Sequence, residues 1–388
     1  MNKTIFFLID GLADKPRGDT PLKLAAKPRI NKLLPYSFLA KFYPLTKQEW
    51  PESGYASVSQ YANLGILNYS VKNLYLKRGP IEAIGSDIEF RNNWLATRVD
   101  FGTTDKNLKV IDRRAGRNTW GLNEIVNDLN KIKLDVEFAL KHTYKHRGVL
   151  ILKQKLSDKI SNSDPLKTGK KALKIQPLAT DKLSKQTAEI VQKFLEISNK
   201  QLNKHQINIK RIKKGLLPIN YLLTREAGNK LPKLRKFSNK ALVIAENGAI
   251  KGTCKLAGFH TLTVQEIELN GQMDFIFDAI QKKAAKYNLI YVHIKGADEA
   301  AHDKNCVQKK QIIEIFDKYL GNFIEKFGID NFSYVITGDH ITDCKTGKHE
   351  FGAVPILFIG KNNTTNNPKE FSEISAQKQI SNIWNFIK

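Results

Sequence analysis

The sequence predicts an α/β protein with a mostly parallel sheet flanked by helices. Apolar runs of strand character occur at residues 4–9, 289–294 and 332–337, and an aspartate follows each run within four residues. Segments with apolar residues at helical spacing lie between these runs. Strands that alternate with helices are typical of a parallel sheet, in which functional side chains collect just beyond the carboxyl ends of the strands.

The first sixty-four residues predict a strand at 4–9, a helix at 21–34, a strand at 37–43 and a helix that begins at Ser53. Ser53 follows Pro51, so its hydroxyl would stand beside the free backbone N–H groups of that helix. A serine in this position is either a phosphate-binding nucleophile or simply the helix cap. Ser57 and Ser59 stay open as alternatives, because spacing does not separate them from Ser53.

The middle of the chain predicts an inserted α+β cap domain at residues 78–175, and residues 1–77 and 176–388 predict a discontinuous core domain. Within the cap, strand alternation at 89–99, helical spacing at 122–132 and a strand pair at 136–143 and 148–152 precede a polar return linker. Cationic side chains in or near the cap are candidates for binding an anionic substrate, although a solvated basic turn explains each arginine equally well. These candidates are Arg78, Arg113, Arg114, Arg117 and, on weaker grounds, Lys251.

The second half predicts further elements of the core. These are helices at 181–204 and 312–327, strands at 221–223, 241–245 and 354–359, and a helix at the C-terminus.

Aspartate and histidine pairs mark the ends of the predicted strands. Asp298 and His302 are four residues apart, which places them on one face of a helix and within reach of one cation. Asp339 and His340 follow the strand at 332–337, and Asp10 follows the first strand. Oxygen and nitrogen ligands of this kind suit Zn²⁺ or Mn²⁺. The sequence therefore predicts that these residues converge at one sheet edge.

Composition and charge describe a globular chain of 388 residues, 41% hydrophobic and 26% charged. The net charge of +25 comes from lysines spread along the chain, which favours attraction of anionic substrates over a nucleic-acid interface. Cys254, Cys306 and Cys344 form no C-x-x-C pair and are odd in number, so we expect no disulfide framework and a reducing cytoplasm. No apolar run is long enough to span a membrane.

The order and spacing of several sequence blocks resemble the archaeal type of cofactor-independent phosphoglycerate mutases, within the alkaline phosphatase superfamily. The blocks are residues 8–11 (LIDG), 51–53 (PES), 77–85 (KRGPIEAIG), 112–117 (DRRAGR), 156–161 (LSDKIS), 293–303 (HIKGADEAAHD) and 337–340 (TGDH). The resemblance spans nearly the whole chain. It implies an alkaline-phosphatase-like sheet and the interconversion of 3-phosphoglycerate and 2-phosphoglycerate, without 2,3-bisphosphoglycerate.

The resemblance also implies a role for each motif residue. Two divalent ions are expected, with Mn²⁺ preferred and Zn²⁺ or Mg²⁺ as alternatives. The resemblance also implies that a phosphoserine intermediate forms on Ser53. The first ion would be held by Asp298, His302 and His349, and the second by Asp10, Ser53, Asp339 and His340. His349 alone would be interpreted as a loop histidine. The partner is a small anionic phosphorylated substrate, and a homo-oligomer is left open.

Glu52 and Gly54 depart from the residues that flank the nucleophile in this family, which leaves the substrate open. One alternative is a metal-dependent phosphatase or another phosphotransferase, such as the homoserine-kinase-like branch of the same fold. A second alternative is a non-catalytic basic protein that binds nucleic acid, which the retained set of ligand residues does not favour.

Overall fold

The structure is a computed structural model, which describes residues 3–51, 58–237, 240–360 and 365–387. The chain folds into two compact units. The first unit comprises Met1–Leu74, Leu234–Glu246 and Thr253–Lys388, and the second comprises Tyr75–Lys233 and Asn247–Gly252.

Strands and helices alternate along much of the chain. The strands are β1 (Lys3–Ile9), β2 (Ser37–Phe42), β3 (Leu95–Thr104), β4 (Val110–Asp112), β5 (Phe138–Tyr144), β6 (Arg147–Leu152), β7 (Tyr221–Gly228), β8 (Ala241–Ala245), β9 (His260–Thr263), β10 (Leu289–Ile294), β11 (Phe332–Thr337), β12 (Ile341–Asp343), β13 (Lys348–Glu350) and β14 (Val354–Ile359). The α-helices are α1 (Pro21–Leu24), α2 (Pro28–Leu33), α3 (Val58–Ile66), α4 (Arg78–Gly85), α5 (Leu122–Leu129), α6 (Lys182–Leu202), α7 (Gln206–Lys213), α8 (Gly248–Leu256), α9 (Leu269–Lys283), α10 (Gly296–His302) and α11 (Cys306–Phe327).

The first unit is built on a mostly parallel sheet, as the sequence predicts. Among the described residues it has seven strands in the order β2-β14-β11-β1-β10-β8-β9. The strands β11, β1, β10, β8 and β9 pair in parallel, and β14 pairs antiparallel with β11 and with β2. β1 lies in the middle of this sheet, between β10 and β11.

Burial of apolar side chains fixes the position of β1. Six of its seven residues are buried. The Phe7 ring packs against Phe277 of α9 at 5.6 Å and against Phe316 of α11 at 5.2 Å between ring centroids. Buried aromatic rings contribute large apolar areas, so this packing orders the strand that ends just before Asp10.

The prediction of one continuous helix at residues 21–34 is wrong, because the structure has two short helices there. α1 ends at Leu24, and α2 starts again at Pro28. Proline has no backbone N–H and clashes with the preceding turn, so it is tolerated only in the first turn of a helix.

The prediction of a helix at the C-terminus is also wrong: residues 365–387 contain a single 3₁₀ turn, Ile383–Asn385.

Other boundaries shift by a few residues. The strand predicted at 89–99 is β3, which begins at Leu95, after a turn in which Asn93 has a positive φ of 78°. The helix predicted at 312–327 is α11, which begins earlier, at Cys306, where the Asn305 side chain accepts from the Gln308 N–H. The predicted start of a helix at Ser53 lies outside the described residues, and α3 is described from Val58.

The second unit contains an antiparallel sheet of five strands in its described part. β3 pairs with β4, β6 and β7, and β6 pairs with β5. α5 and α6 cover the sheet with a core that includes Val126, Val191 and Phe194. This unit extends beyond the predicted cap boundary at residue 175, because β7 pairs with β3 over most of its length and α6 packs in the same core.

The sequence predicts no disulfide framework, but one pair of cysteines does meet in the structure. Cys306 at the start of α11 and Cys344 after β12 form a disulfide across a separation of 38 residues, and Cys254 is a buried free thiol. An odd number of cysteines does not prevent one pair from meeting in space. The cytoplasmic location stays a prediction. Within the described residues, no helix has the length and apolar character needed to cross a membrane.

We expect reduction of the Cys306–Cys344 bond to destabilise the protein. Closing a loop of 38 residues restricts the unfolded chain, which corresponds to about 4 kcal/mol of stability in the chain-entropy model. Urea unfolding with and without a reductant measures this difference. The double variant Cys306→Ser, Cys344→Ser is the control, since reductant should leave its stability unchanged. An unfolding midpoint of the wild type that ignores reductant would contradict the prediction.

Candidate metal centre

The candidate ligands lie at the carboxyl ends of three neighbouring strands. β1 pairs in parallel with both β10 and β11. Asp10 follows β1 directly, α10 with Asp298 and His302 follows β10, and the Asp339-His340 pair follows β11. Parallel strands end at the same edge of a sheet, so residues far apart in sequence meet there.

The first cluster consists of Asp298, His302 and His349. Within α10 the separation of four residues brings His302 Nε2 to 3.3 Å from Asp298 Oδ1. His349 lies on β13, which pairs antiparallel with β12, and its Nε2 is 3.1 Å from the same oxygen. One potential ligand atom from each of the three residues lies within 4.8 Å of the others.

The second cluster consists of Asp10, Asp339 and His340, all of them buried. His340 Nε2 is 3.2 Å from Asp10 Oδ1 and 3.4 Å from Asp339 Oδ2. The Gly11 backbone N–H donates to Asp339 Oδ1 at 3.1 Å. Gly11 has a positive φ of 65°, and a Cβ there would lie 2.7 Å from Thr342 Oγ1. The turn after β1 is therefore suited to glycine.

Hydrogen bonds orient the imidazole rings of His302 and His340 so that each Nε2 faces its cluster. His302 Nδ1 donates to the carbonyl of Gly347 at 2.8 Å. Thr342 Oγ1 donates to Asp298 Oδ1 at 3.1 Å, so it accepts from His340 Nδ1 at 3.0 Å. A histidine whose Nδ1 holds the proton presents Nε2 as a metal ligand. The same threonine hydroxyl links the two clusters.

Electrostatics in the second cluster favour bound protons when no ion is present. Burial raises the pKa of Asp339 to about 8, and the charge of Asp10 adds to this shift. Burial alone would lower the pKa of His340, but the carboxylates of Asp339 and Asp10 raise it to about 9. Burial and the charge of His340 lower the pKa of His349 to about 4, so that imidazole is neutral at pH 7.

Orphaned buried oxygens show that a cation fits these residues. Asp10 Oδ1 and Asp339 Oδ2 have no hydrogen-bond partner among the described residues. A buried carboxylate oxygen without a donor is costly unless a cation neutralises it. Carboxylate and imidazole groups are suitable ligands for a divalent ion such as Mn²⁺ or Zn²⁺. The donor set of each cluster therefore suits a divalent metal ion.

Of the candidate nucleophiles, only Ser59 can be placed. Its Oγ is 3.0 Å from His340 Nε2, beside the second cluster. Ser53 and Ser57 lie outside the described residues. The structure therefore places the beginning of α3 next to the cluster without separating the three serines.

Comparison with known proteins identifies the family. Residues 49–208 match the family model of 2,3-bisphosphoglycerate-independent phosphoglycerate mutase. The chain is 35% identical to 2,3-bisphosphoglycerate-independent phosphoglycerate mutase 1 of Methanocaldococcus jannaschii, covering 97% of this chain and 92% of that protein. It is 34% identical to the mutase of Picrophilus torridus, covering 97% and 93%. The chain belongs to the 2,3-bisphosphoglycerate-independent phosphoglycerate mutase family.

Solved structures agree with this mutase family assignment. A protein from Pyrococcus horikoshii superposes with a TM-score of 0.75 at 25% identity, covering 98% of this chain and 94% of that chain. The cofactor-independent phosphoglycerate mutase from Thermoplasma acidophilum superposes with a TM-score of 0.58 at 27% identity, covering 98% and 96%. Both likenesses extend over nearly the full length, so the predicted α/β class and family resemblance are confirmed.

The predicted substrate-binding residues of this mutase family member all belong to the second unit. Arg113 forms two hydrogen bonds to Asp164, with Nε at 2.9 Å and Nη2 at 2.5 Å. Arg78 is half-buried at the start of α4, where burial and the charge of Arg98 lower its pKa to about 9. The remaining candidates lie in the turn after β4 and in α8: Arg114, Arg117 and Lys251.

A buried charged cluster in the second unit was missed by the sequence analysis. Arg98 and Asp100 are each 2% exposed on β3, and Arg98 Nη2 lies 2.8 Å from Asp100 Oδ1. Arg225 of β7 is 3.1 Å from Asp100 Oδ2. The signal was present, because two oppositely charged residues two apart in a strand share one face. Lys295, which contacts Asp298 of the first cluster and Asp10 of the second, was also missed.

We expect removal of one first-cluster ligand to lower the number of bound ions. The variant His349→Ala should bind one Mn²⁺ with near wild-type affinity and lose the other site, because the remaining pair Asp298 and His302 gives two ligands. Isothermal titration calorimetry measures the stoichiometry. The exposed His260 provides the control variant His260→Ala, which should bind as the wild type does. Unchanged binding by His349→Ala would refute the assignment of this histidine.

We expect Mn²⁺ binding to strengthen with rising pH. Asp339 and His340 have raised pKa values, about 8 and about 9, so both hold protons at pH 7 and must release them when an ion binds. Affinity should rise about tenfold per pH unit for each displaced proton between pH 6 and 7.5, below both pKa values, and less steeply as the pH passes the pKa of Asp339. Calorimetry in two buffers of different ionisation enthalpy counts the protons. A pH-independent affinity over this range would show that these groups are not displaced.

Proposed function

We propose that this protein interconverts 3-phosphoglycerate and 2-phosphoglycerate through a phosphoserine intermediate, without 2,3-bisphosphoglycerate. The observation that supports it is the pair of adjoining Asp/His clusters at one sheet edge, in a chain that belongs to the mutase family. The reaction moves one phosphoryl group between two hydroxyls of the same glycerate. No free bisphosphorylated intermediate is needed when a serine carries the group.

The two clusters would hold two divalent ions. The first ion would be held by Asp298, His302 and His349, and the second by Asp10, Asp339 and His340. When bound, such ions lower the pKa of a serine hydroxyl and neutralise charge on a transferring phosphoryl group. The absence of sulfur among these ligands favours Mn²⁺ over softer ions, with Zn²⁺ or Mg²⁺ as alternatives. The hydrogen bonds at Nδ1 of His302 and His340 would keep the lone pair of each Nε2 directed at the ion.

The nucleophile comes from the serine-bearing segment before and at the start of α3. Ser53 is our candidate from the family resemblance, and it would also complete the second metal site. Ser57 and Ser59 are the competitors, and the Ser59 hydroxyl lies 3.0 Å from His340 Nε2. A hydroxyl at the first turn of a helix gains from the backbone N–H groups and the helix dipole, which stabilise a phosphoryl group.

The second unit would supply cations that bind the carboxylate and phosphate of the substrate. We propose that it acts as the cap domain, with Arg78, Arg113, Arg114, Arg117 and Lys251 as candidate contacts. Arginine binds carboxylate and phosphate groups with two parallel hydrogen bonds. Arg113 already forms such a pair with Asp164, so it contributes to substrate binding only if that pair opens.

An activity assay tests the mutase proposal. Purified protein with Mn²⁺ and 3-phosphoglycerate, in the absence of 2,3-bisphosphoglycerate, should form 2-phosphoglycerate, followed by coupling to enolase. Removal of the ions with a chelator should abolish the activity, and Mn²⁺ should restore it. Release of free phosphate without formation of 2-phosphoglycerate would show that the protein is a phosphatase and not a mutase. Absence of both products would refute the proposal.

Serine variants identify the nucleophile in the same assay. We expect Ser53→Ala to lower kcat by roughly 10³-fold or more, as loss of a nucleophile does, and Ser57→Ala and Ser59→Ala to retain most of it. Peptide mass spectrometry of the protein quenched during turnover should locate the phosphate on Ser53. Phosphate on Ser59, together with an active Ser53→Ala variant, would transfer the role to Ser59.

A further inference from the structure

Lys295 lies at the boundary between β10 and α10, in contact with both metal clusters. It is the residue before Gly296, has φ −91° and ψ −20°, and is 8% exposed. Its Nζ donates to Asp10 Oδ2 at 2.7 Å and to Asp298 Oδ2 at 2.6 Å. One ammonium group therefore bridges a carboxylate of the first cluster and a carboxylate of the second.

In Asp10 and in Asp298, one carboxylate oxygen contacts Lys295 and the other faces the histidines of the cluster. In Asp298, Oδ1 faces the histidines, at 3.1 Å from His349 Nε2 and 3.3 Å from His302 Nε2. In Asp10, Oδ1 faces His340 Nε2 at 3.2 Å and has no hydrogen-bond partner among the described residues. In each aspartate Oδ2 is directed at Lys295 and Oδ1 at the imidazoles of its cluster.

The charge of Lys295 offsets part of the negative charge of this edge. Three buried aspartates, Asp10, Asp298 and Asp339, surround the two candidate ion positions. With neutral histidines, the lysine brings their formal charge from −3 to −2, and two divalent ions would then leave +2. A phosphoryl group carries about −1.5 to −2 at pH 7, so the lysine adjusts the loaded site to the charge of the phosphoryl group that it would receive.

We propose that Lys295 is a positioning residue that joins the two metal sites: it occupies one oxygen of Asp10 and one of Asp298, so that each aspartate binds its ion through a single oxygen. This inference rests on the metal sites of the proposed function. The lysine holds both carboxylates at a fixed spacing and weakens ion binding through its own positive charge. Turnover depends on the spacing.

The variant Lys295→Met separates these effects because it removes the charge and both hydrogen bonds at similar side-chain length. The freed Oδ2 atoms can bind ions, and a nearby positive charge is gone, so Mn²⁺ affinity should rise by at least about tenfold. The same variant should turn over about 10- to 100-fold more slowly, the range typical of groups that orient metal ligands. Tighter ion binding with slower turnover is an outcome that simple structural damage does not produce.

Lys309 provides a matched control. It is also a buried lysine in an ion pair, with Nζ 3.0 Å from Asp14 Oδ2 and hydrogen bonds to the carbonyls of Ala13 and Thr342. None of these partners is a candidate metal ligand. Lys309→Met should lower the thermal stability and should not raise Mn²⁺ affinity. Lys295→Gln, which also removes the charge, should tighten Mn²⁺ binding as Lys295→Met does and serves if the methionine variant fails to fold.

Calorimetry with Mn²⁺ on the metal-free wild type and each folded variant is the deciding measurement. A wild type that binds no ion would refute the metal sites of the proposed function itself. A wild type that binds two ions, with equal or weaker binding by both Lys295 variants, would overturn only the inference. Infrared difference spectra of the wild type on Mn²⁺ addition test the oxygen sharing directly. The carboxylate stretching bands should show single-oxygen binding, and bands of two-oxygen binding would overturn it.

Discussion

The concentration of buried negative charge at one edge of the parallel sheet is the constraint on which the rest of the site depends. Asp10, Asp298 and Asp339 are each at most 3% exposed. Burying a carboxylate is costly unless cations and hydrogen bonds neutralise it. Lys295 supplies one cation, Gly11 supplies a backbone N–H, and two carboxylate oxygens stay without a donor among the described residues. The negative charge of the three aspartates therefore exceeds the positive charge of Lys295, and bound metal ions would neutralise the excess.

Tertiary links hold this arrangement together, because the ligands come from separate segments. The β12–β13 hairpin brings His349 to Asp298, and its Thr342 is hydrogen-bonded to both clusters. The buried Lys309 ties the loop after β1 to the backbone of β12. The Cys306–Cys344 bond joins the start of α11 to the end of β12. Each link fixes a spacing that local sequence does not determine.

The sequence predicts the parts of the fold and site that depend on local periodicity. A spacing of four placed Asp298 and His302 on one helix face, and apolar runs placed the other ligands of the sheet edge at strand ends. His349 entered only through the family resemblance, because β13 has three residues and no apolar pattern. Contacts between distant segments explain the other omissions. Only the pairing of β3 with β7 shows that Arg225 joins a buried charged cluster. The disulfide could not be predicted because the sequence does not show that Cys306 and Cys344 lie close together in the fold.

The difference between lysine and arginine explains how the two candidate metal sites can share one bridging cation. Arg113 binds Asp164 through two nitrogens and so takes both carboxylate oxygens, as the planar guanidinium favours. An arginine at position 295 bound in this way would engage both oxygens of one aspartate and leave the other aspartate without its cation. The compact ammonium of Lys295 instead takes one oxygen from each of two aspartates. A point charge on a flexible stem thus contacts both carboxylates and offsets one of their two negative charges, while the other oxygen of each carboxylate stays clear of it.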